Sequence, residues 1–279
     1  MTAAGPPDTE LLEPELPATG RFTKLAEFAG AEISKLANSL LPGNCSFCQS
    51  PLPLSSSALC DLCIAELPHI NTCCRRCSVP LISAELCGSC QKKPPSFRRC
   101  ISALSYHAPV DSIILRLKTD PYVAEINQLS ALLAQRIAKT YQESQLPCPR
   151  TLIPLPLHWL KMTRRSFNQS NVIARQVASH LCRQHRIDVE LRTDICKRIA
   201  HGQTQHQLSA KHRRAAIKNA FAAPAAIKLD LQGLSVAVID DVVTTGATAN
   251  SVAKALLKAG AANVDIWSLA RTSWNNSPR

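Results

Sequence analysis

Four C-x-x-C pairs fall within 46 residues of one another: Cys45/Cys48, Cys60/Cys63, Cys74/Cys77 and Cys87/Cys90. Two thiolates three positions apart grip one metal from a tight knuckle, and two knuckles supply the tetrahedral sulfur set that Zn2+ prefers. Eleven residues separate the first two pairs and nine the last two. Two sites of four sulfurs each are therefore the simplest assignment. Both gaps are shorter than the usual ribbon spacing, which leaves crossed pairing of the knuckles open. Four such pairs favour structural zinc over disulfides or an iron–sulfur cluster. With four sulfurs apiece, neither site keeps the open position that a catalytic metal needs. Of the thirteen cysteines, Cys73 is the spare beside a knuckle. Cys100, Cys148, Cys182 and Cys196 are isolated and read as ordinary small residues.

The compartment expected from the chain agrees with thiols kept for metal. Met1–Gly20 is rich in Pro and carries Asp8, Glu10, Glu13 and Glu15, without the basic start and apolar stretch of a signal peptide. No apolar run is long enough to span a bilayer. A cytoplasmic protein with no membrane association is expected, where thiols stay reduced. The net charge of +12 favours anionic partners such as nucleotides, pyrophosphate or nucleic acid without choosing among them, and a merely solvated basic surface is an equal alternative. Arg75, Arg76, Lys92, Lys93, Arg98 and Arg99 stand beside the knuckles. They are a candidate nucleic-acid face, with solvated charge on a small polar module as the alternative.

The organisation follows from periodicity. Residues 1–22 read as a disordered tail. Leu25, Ala29, Ile33, Leu36 and Leu40 recur at helical spacing, predicting an amphipathic helix over 23–41 that stops before Pro42-Gly43. The cysteine module occupies 42–100 and a larger domain 101–279. In that domain, Ile101–Tyr106, Thr151–Leu155, Leu234–Ile239 and Val264–Leu269 read as strands. Helices are expected from Val110–Leu117, from the Ile126–Tyr141 stripe, from Val172–Leu181 and from Ala247–Ala259. Lys197–Lys218 is polar and basic, with few core residues. The alternation predicts an α/β fold with a mostly parallel sheet flanked by helices.

One segment of that domain carries chemistry: Val236-Ala-Val-Ile-Asp-Asp-Val-Val-Thr-Thr-Gly-Ala-Thr248. A buried strand delivers Asp240 and Asp241 to its C-terminal end, where ligands of open α/β sheets bind. Thr244, Thr245 and Thr248 offer hydroxyls, Gly246 permits close backbone approach, and the helix that follows turns free N–H groups toward an anion. A phosphate fits the loop, and two acceptor-only carboxylates suit the vicinal hydroxyls of a ribose. Paired acids after a strand are also compatible with a Mg2+ site. Neither G-x-x-x-x-G-K-[ST] nor G-x-G-x-x-G occurs.

Val236–Thr248 resembles the phosphoribosyl-pyrophosphate (PRPP) binding signature of type I phosphoribosyltransferases. Behind four cysteine pairs, it makes the chain resemble the ComF family over roughly residues 38–272. Leu40-Leu41-Pro42 before Cys45 resembles the start of that family's double zinc ribbon. Tyr106 to Lys118, Ile153-Pro-Leu-Pro-Leu-His158 and Arg165-Ser-Phe-Asn-Gln169 resemble three further family segments. Arg198, Gln205, Leu208-Ser209, Arg213 and Asn219-Ala-Phe221 follow its long basic loop. Ser166 stands where the family usually has Gly, and is itself a residue that begins helices well. Ala216 stands where it often has Asn.

The resemblance implies a type I phosphoribosyltransferase fold behind a zinc-ribbon module. It further implies PRPP and Mg2+ bound by Asp240, Asp241, Val242, Val243, Thr244, Thr245, Gly246, Ala247 and Thr248. Pro156, Leu157 and His158 would form the pyrophosphate loop, with Lys118 nearby. Arg165 and Arg213 are the preferred contacts to the leaving group and join the two acids as candidate catalytic residues; Arg198 is a further candidate. A flap from the basic loop and a hood from residues 100–150 would enclose a nucleobase or other nitrogen acceptor. Single-stranded DNA or a DNA-uptake protein is the implied partner. The alternative is a non-catalytic, PRPP-responsive competence protein that binds nucleic acid or a partner.

Overall fold

The computed structural model describes residues 43–52, 58–83, 85–157, 166–198, 220–224 and 227–273. The tail and helix expected over 1–41 lie outside these residues, as do His158, Arg165, Ala216, Arg213 and most of the basic loop.

Fourteen elements are described in chain order. Two short helices belong to the cysteine module, α1 (Asp61–Ala65) and α2 (Gly88–Lys92). Then come β1 (Arg99–Ser105), α3 (Val110–Leu117), α4 (Glu125–Ser144), β2 (Thr151–Pro154), α5 (Gln169–His185) and β3 (Glu190–Leu191). The chain closes with β4 (Lys197–Arg198), β5 (Phe221–Ala222), α6 (Lys228–Leu231), β6 (Ser235–Val243), α7 (Ala247–Lys258) and β7 (Asn263–Arg271). Five strands form one sheet in the order β1-β7-β6-β2-β3, and every pairing in it is parallel. The α/β architecture expected from the alternating pattern is thus the one observed.

Alternation along β6 and β7 divides the core between two faces. Ala237, Ile239, Trp267 and Leu269 pack on one side with Ile126, Leu133, Ile173 and Val177 of α4 and α5. Val236, Val238, Val264 and Ile266 pack on the other with Val252, Ala253 and Leu256 of α7. Successive strand residues point to opposite faces, so strands buried on both sides read as continuous apolar runs. This is why Val236–Ile239 and Val264–Leu269 are legible as strands. The 100–150 segment, from which a hood is expected, supplies the edge strand β1 and the covering helices α3 and α4.

The cysteine module does not hang from this domain as a separate bead. Its chain lies along the open edge of β1: Ile70 N–H donates to the Ala103 carbonyl (3.0 Å), Ser105 N–H to Pro68 (2.7 Å) and Cys100 N–H to Arg76 (2.8 Å). An unpaired parallel edge is a template for aggregation, and here the module satisfies its backbone groups. Both cores include module residues. Cys45, Leu52, Leu59 and Leu67 join the α4–α5 face, while Cys74, Cys77, Val79, Cys87 and Cys90 join the α7 face.

Candidate functional site

The eight paired cysteines gather as two tetrads, Cys45/Cys48/Cys60/Cys63 and Cys74/Cys77/Cys87/Cys90, each with its sulfurs within 4.8 Å of one another. Sequential rather than crossed pairing is thereby settled. The two halves repeat one design. The residue after each first pair takes a left-handed backbone (Gln49, φ 60°; Ser78, φ 59°), which turns the chain back on itself. Cys60 and Cys87 then stand at the N-caps of α1 and α2. In each tetrad the leading cysteine of the second pair donates its N–H to the leading sulfur of the first, Cys60 to Cys45 (3.4 Å) and Cys87 to Cys74 (3.3 Å).

Two observations test the fit to zinc. A tetrahedron with Zn–S bonds of about 2.3 Å has sulfur–sulfur edges of about 3.8 Å. The Cys48–Cys60 and Cys77–Cys87 sulfurs are each 3.7 Å apart. Burial pushes the Cys45 thiol up, but N–H groups of Cys48, Cys60 and Phe47 outweigh it and bring it down to about 6. Cys74 comes down to about 7 in the same way, against burial, through N–H groups of Cys87, Cys77 and Arg76. Burial, with the neighbouring cysteines, pushes Cys63, Cys77 and Cys90 up instead, so each tetrad pairs a thiol readied by N–H donors with thiols whose deprotonation a bound cation would have to favour. The tetrads fit structural zinc. Cys73, the expected spare, lies outside both and receives a contact from Arg136 (Nη2–Sγ 3.6 Å).

The second candidate site is built at the C-terminal edge of the sheet. Strand β6 runs beyond the expected end at Ile239, through both acids to Val243, and stays paired with β7 to the Val243–Arg271 position. Asp241 is buried and Asp240 half-buried. Gln169, the first residue of α5, donates Nε2–H to Asp241 Oδ2 (3.4 Å). Asn168 caps that helix by accepting from Ser170 N–H (3.0 Å) and donates its own amide to the Leu155 carbonyl (3.0 Å). Leu155 N–H in turn bonds the Ile239 carbonyl (2.9 Å). Asn168 and Gln169 at the start of α5 and the Pro154–Leu157 turn therefore meet at the acid pair, with Pro156 and Leu157 partly exposed.

Burial and the charge of Asp241 push the Asp240 carboxyl well above the ordinary carboxylate range. Arg198 on β4 stacks over Phe221 of β5 (5.5 Å) and attracts Asp240 electrostatically. Past Val243 the chain turns through Thr244 and Thr245 to Gly246, whose φ of 76° is the left-handed conformation that favours glycine. Thr245 Oγ1 accepts from Ala247 N–H (3.3 Å), and α7 begins. The first-turn N–H groups that a helix leaves unpaired emerge there, beside exposed Thr244 and half-exposed Thr248. Lys118 caps the end of α3; among the described residues, no hydrogen bond or ion pair ties its ammonium to this segment.

Structure revises two readings. Ser166 has φ 58° and Asn168 is the N-cap before Gln169, so Ser166 holds a left-handed turn ahead of α5 and does not start it. Three members of the basic face are engaged by the fold, Arg76 among them through the Pro95 carbonyl (3.2 Å). Arg98 grips Asp265 of β7, and Arg99 stacks over Tyr141 (5.3 Å). Lys92, Lys93 and Arg75 remain exposed. Sequence reasoning missed Arg271, which hydrogen-bonds the Val243 carbonyl at the start of the loop (3.0 Å). Its only signal was an arginine closing an apolar strand.

A double zinc ribbon domain model matches residues 36–91. Among the described residues no helix is long and apolar enough to cross a membrane. Two groups of solved structures resemble the chain at low scores. Trypanosoma cruzi hypoxanthine phosphoribosyl transferase covers 52% of this chain and 73% of its own, with 15% identity and a TM-score of 0.34. Bacillus subtilis glutamine PRPP amidotransferase covers 53% and 28%, with 17% identity and a TM-score of 0.33. Sequence relatives reach further. The DNA utilization protein YhgH of Salmonella typhi is 34% identical over 83% of this chain and 98% of that protein. Competence protein F of Haemophilus influenzae is 32% identical over 81% of this chain and 96% of that protein. With about a third of its residues shared over about four-fifths of its length, the chain belongs to the ComF family.

Proposed function

We propose that the chain binds PRPP with Mg2+ at Asp240–Thr248 and transfers its phosphoribosyl group to a nitrogen base, in the service of DNA uptake or DNA utilisation. One observation carries this reading. Two adjacent carboxyl groups, buried and crowded enough to push Asp240 above its usual range, stand just before a hydroxyl-lined loop and a helix N-terminus. Such a pair needs hydroxyl donors and positive charge, and the loop needs a phosphate; a ribose phosphate with a divalent cation supplies all three.

In the proposed reaction the bond from ribose C1 to the pyrophosphate oxygen breaks as a nitrogen lone pair of the acceptor forms the new bond to C1. Asp240 and Asp241 hold the ribose hydroxyls, and the Thr244–Thr248 loop holds the 5′-phosphate. Gln169 fixes the Asp241 carboxylate, and Pro156, Leu157 and His158 line the pyrophosphate side with Lys118 nearby. Arg165 and Arg213 are assigned to the departing pyrophosphate, where fixed positive charge favours the developing anion. Mg2+, when bound, neutralises charge on the leaving group.

The experiment is a pyrophosphate-release assay with PRPP, Mg2+ and a panel of nucleobases. Base-dependent release supports transfer. PRPP binding without release, together with salt-sensitive single-stranded DNA binding, supports the non-catalytic reading. The names of two family members, DNA utilization protein and competence protein, accord with either role.

A further inference from the structure

Arg271 ends β7 with its side chain buried, and its donors go to carbonyls from three parts of the chain. Nε–H bonds the Cys77 carbonyl in the second tetrad (2.9 Å). Nη1–H reaches the carbonyls of Val243 (3.0 Å), Thr244 and Thr272 (3.0 Å). Thr272 reinforces the same point: its N–H donates to Val243 (3.2 Å) and its hydroxyl to the Thr244 carbonyl (3.2 Å). Among the described residues no carboxylate pairs with this guanidinium. A buried charge needs a partner, and four thiolates around one Zn2+ leave a net negative charge immediately beside it.

A second link runs from the same module to the same loop. Ser96 N–H, six residues after Cys90, bonds Asn250 Oδ1 on α7 (2.6 Å), and Asn250 N–H bonds the Gly246 carbonyl (2.8 Å). The first tetrad is anchored elsewhere. Gln128 of α4 accepts from Ala58 and Leu59 N–H (3.1 and 2.9 Å) and donates to the Leu59 carbonyl (2.8 Å), on the opposite face of the sheet.

We propose that Arg271 is a positioning residue that ties the Cys74/Cys77/Cys87/Cys90 tetrad to the loop after Val243, so that this tetrad, and not the first, sets the loop's phosphate-binding shape. In its link to PRPP the inference rests on the function proposed above; in its mechanical part it does not. The planar guanidinium can hold Cys77 and the loop carbonyls simultaneously, which a lysine ammonium at that place cannot. Loosening the knuckle therefore moves the first residues of the loop, and with them the N–H groups aimed at the ligand.

The test uses the full, zinc-loaded chain and compares Arg271→Lys with Arg98→Lys. The latter breaks an arginine contact at the other end of the sheet, Arg98 to Asp265, far along the strands from the loop. Amide hydrogen exchange over Val243–Thr248 is the ligand-free readout, and titration of PRPP with Mg2+ the second. Arg271→Lys is expected to speed exchange in the loop and weaken PRPP about tenfold, with both zinc ions retained. Arg98→Lys is expected to lower Tm and leave both readouts as in wild type. Cys90→His and Cys63→His keep a zinc-capable ligand while shifting one knuckle each, and only the former should loosen the loop. If Arg271→Lys does not fold, Arg271→Gln, whose shorter planar amide cannot span Cys77 and the loop carbonyls together, is read the same way. Unchanged loop exchange in Arg271→Lys or its substitute overturns the inference, as does equal loosening by the Arg98 variant or by both tetrad variants. If wild type fails to bind PRPP the proposed function falls, and loop exchange alone still decides whether Arg271 positions the loop.

Discussion

Arg98, just before β1, meets Asp265 of β7 through two parallel hydrogen bonds, Nε to Oδ1 at 2.9 Å and Nη2 to Oδ2 at 2.5 Å. Asp265 is fully buried, and Tyr141 donates its hydroxyl to the same carboxylate. Arg98→Gln would strand that carboxylate with one donor. The variant should lose about 2–3 kcal/mol in a urea unfolding experiment, a cost typical of unpairing a buried charge while a hydrogen bond survives.

It follows that any nucleic-acid face beside the knuckles must be probed without touching Arg98. Replacing Lys92 and Lys93 together by Gln should leave stability unchanged within about 0.5 kcal/mol, since both side chains are exposed. If the chain binds single-stranded DNA there, the slope of log affinity against log salt should fall by about 1.4 for two lost phosphate contacts. An unaltered slope by fluorescence anisotropy would remove this face from consideration.

The metal content should be about two Zn2+ per chain, one for each sulfur tetrad. Because both tetrads are built into the two cores of the sheet, stripping zinc should destabilise the whole molecule, not a detachable module. Differential scanning calorimetry should show one transition with zinc and a lower one after chelation. An unaltered sheet-domain transition after full zinc removal would contradict this.

Ser166, with φ 58°, occupies backbone that glycine adopts without strain. Left-handed backbone costs an ordinary residue roughly 1–2 kcal/mol, and glycine's greater freedom in the unfolded chain returns part of that. Ser166→Gly should therefore stabilise the protein by up to about 1 kcal/mol in thermal unfolding.

How much of this was legible depends on the range of the interaction. The tetrads were legible because metal chemistry fixes thiol spacing locally, and β6 because burial on both faces produces a continuous apolar run. The placement of the module against β1 was not, since it rests on backbone hydrogen bonds that leave no mark on residue type. Arg271 was invisible for a similar reason: its partner Cys77 lies 194 residues away in the chain and offers only a carbonyl. Ser166 was misjudged because helix-start preference was applied two residues too early, where the structure requires a positive φ.

The acid pair also has a pH signature. Asp240 is held well above its ordinary range, chiefly by burial and then by Asp241. Between the unfolded-state value and that raised one, the folded chain binds the extra proton, so stability falls as pH rises through this window. Asp240→Asn, which removes the charge at similar size, should accordingly raise Tm at pH values above the window. PRPP with Mg2+ competes with the same proton, so wild-type affinity should strengthen as pH rises through the window.

Isothermal titration of PRPP with Mg2+ into wild type, Asp240→Asn and Asp241→Asn tests the proposed site most directly. Each substitution converts a charged acceptor of ribose hydroxyls into a part donor. Charge-assisted hydrogen bonds of this kind contribute about 1.5–3 kcal/mol, so affinity should weaken on the order of ten- to a hundredfold in each variant. The account predicts that loss in Asp240→Asn together with a Tm no lower than wild type; equal affinity in all three proteins, or no binding to wild type, would contradict it.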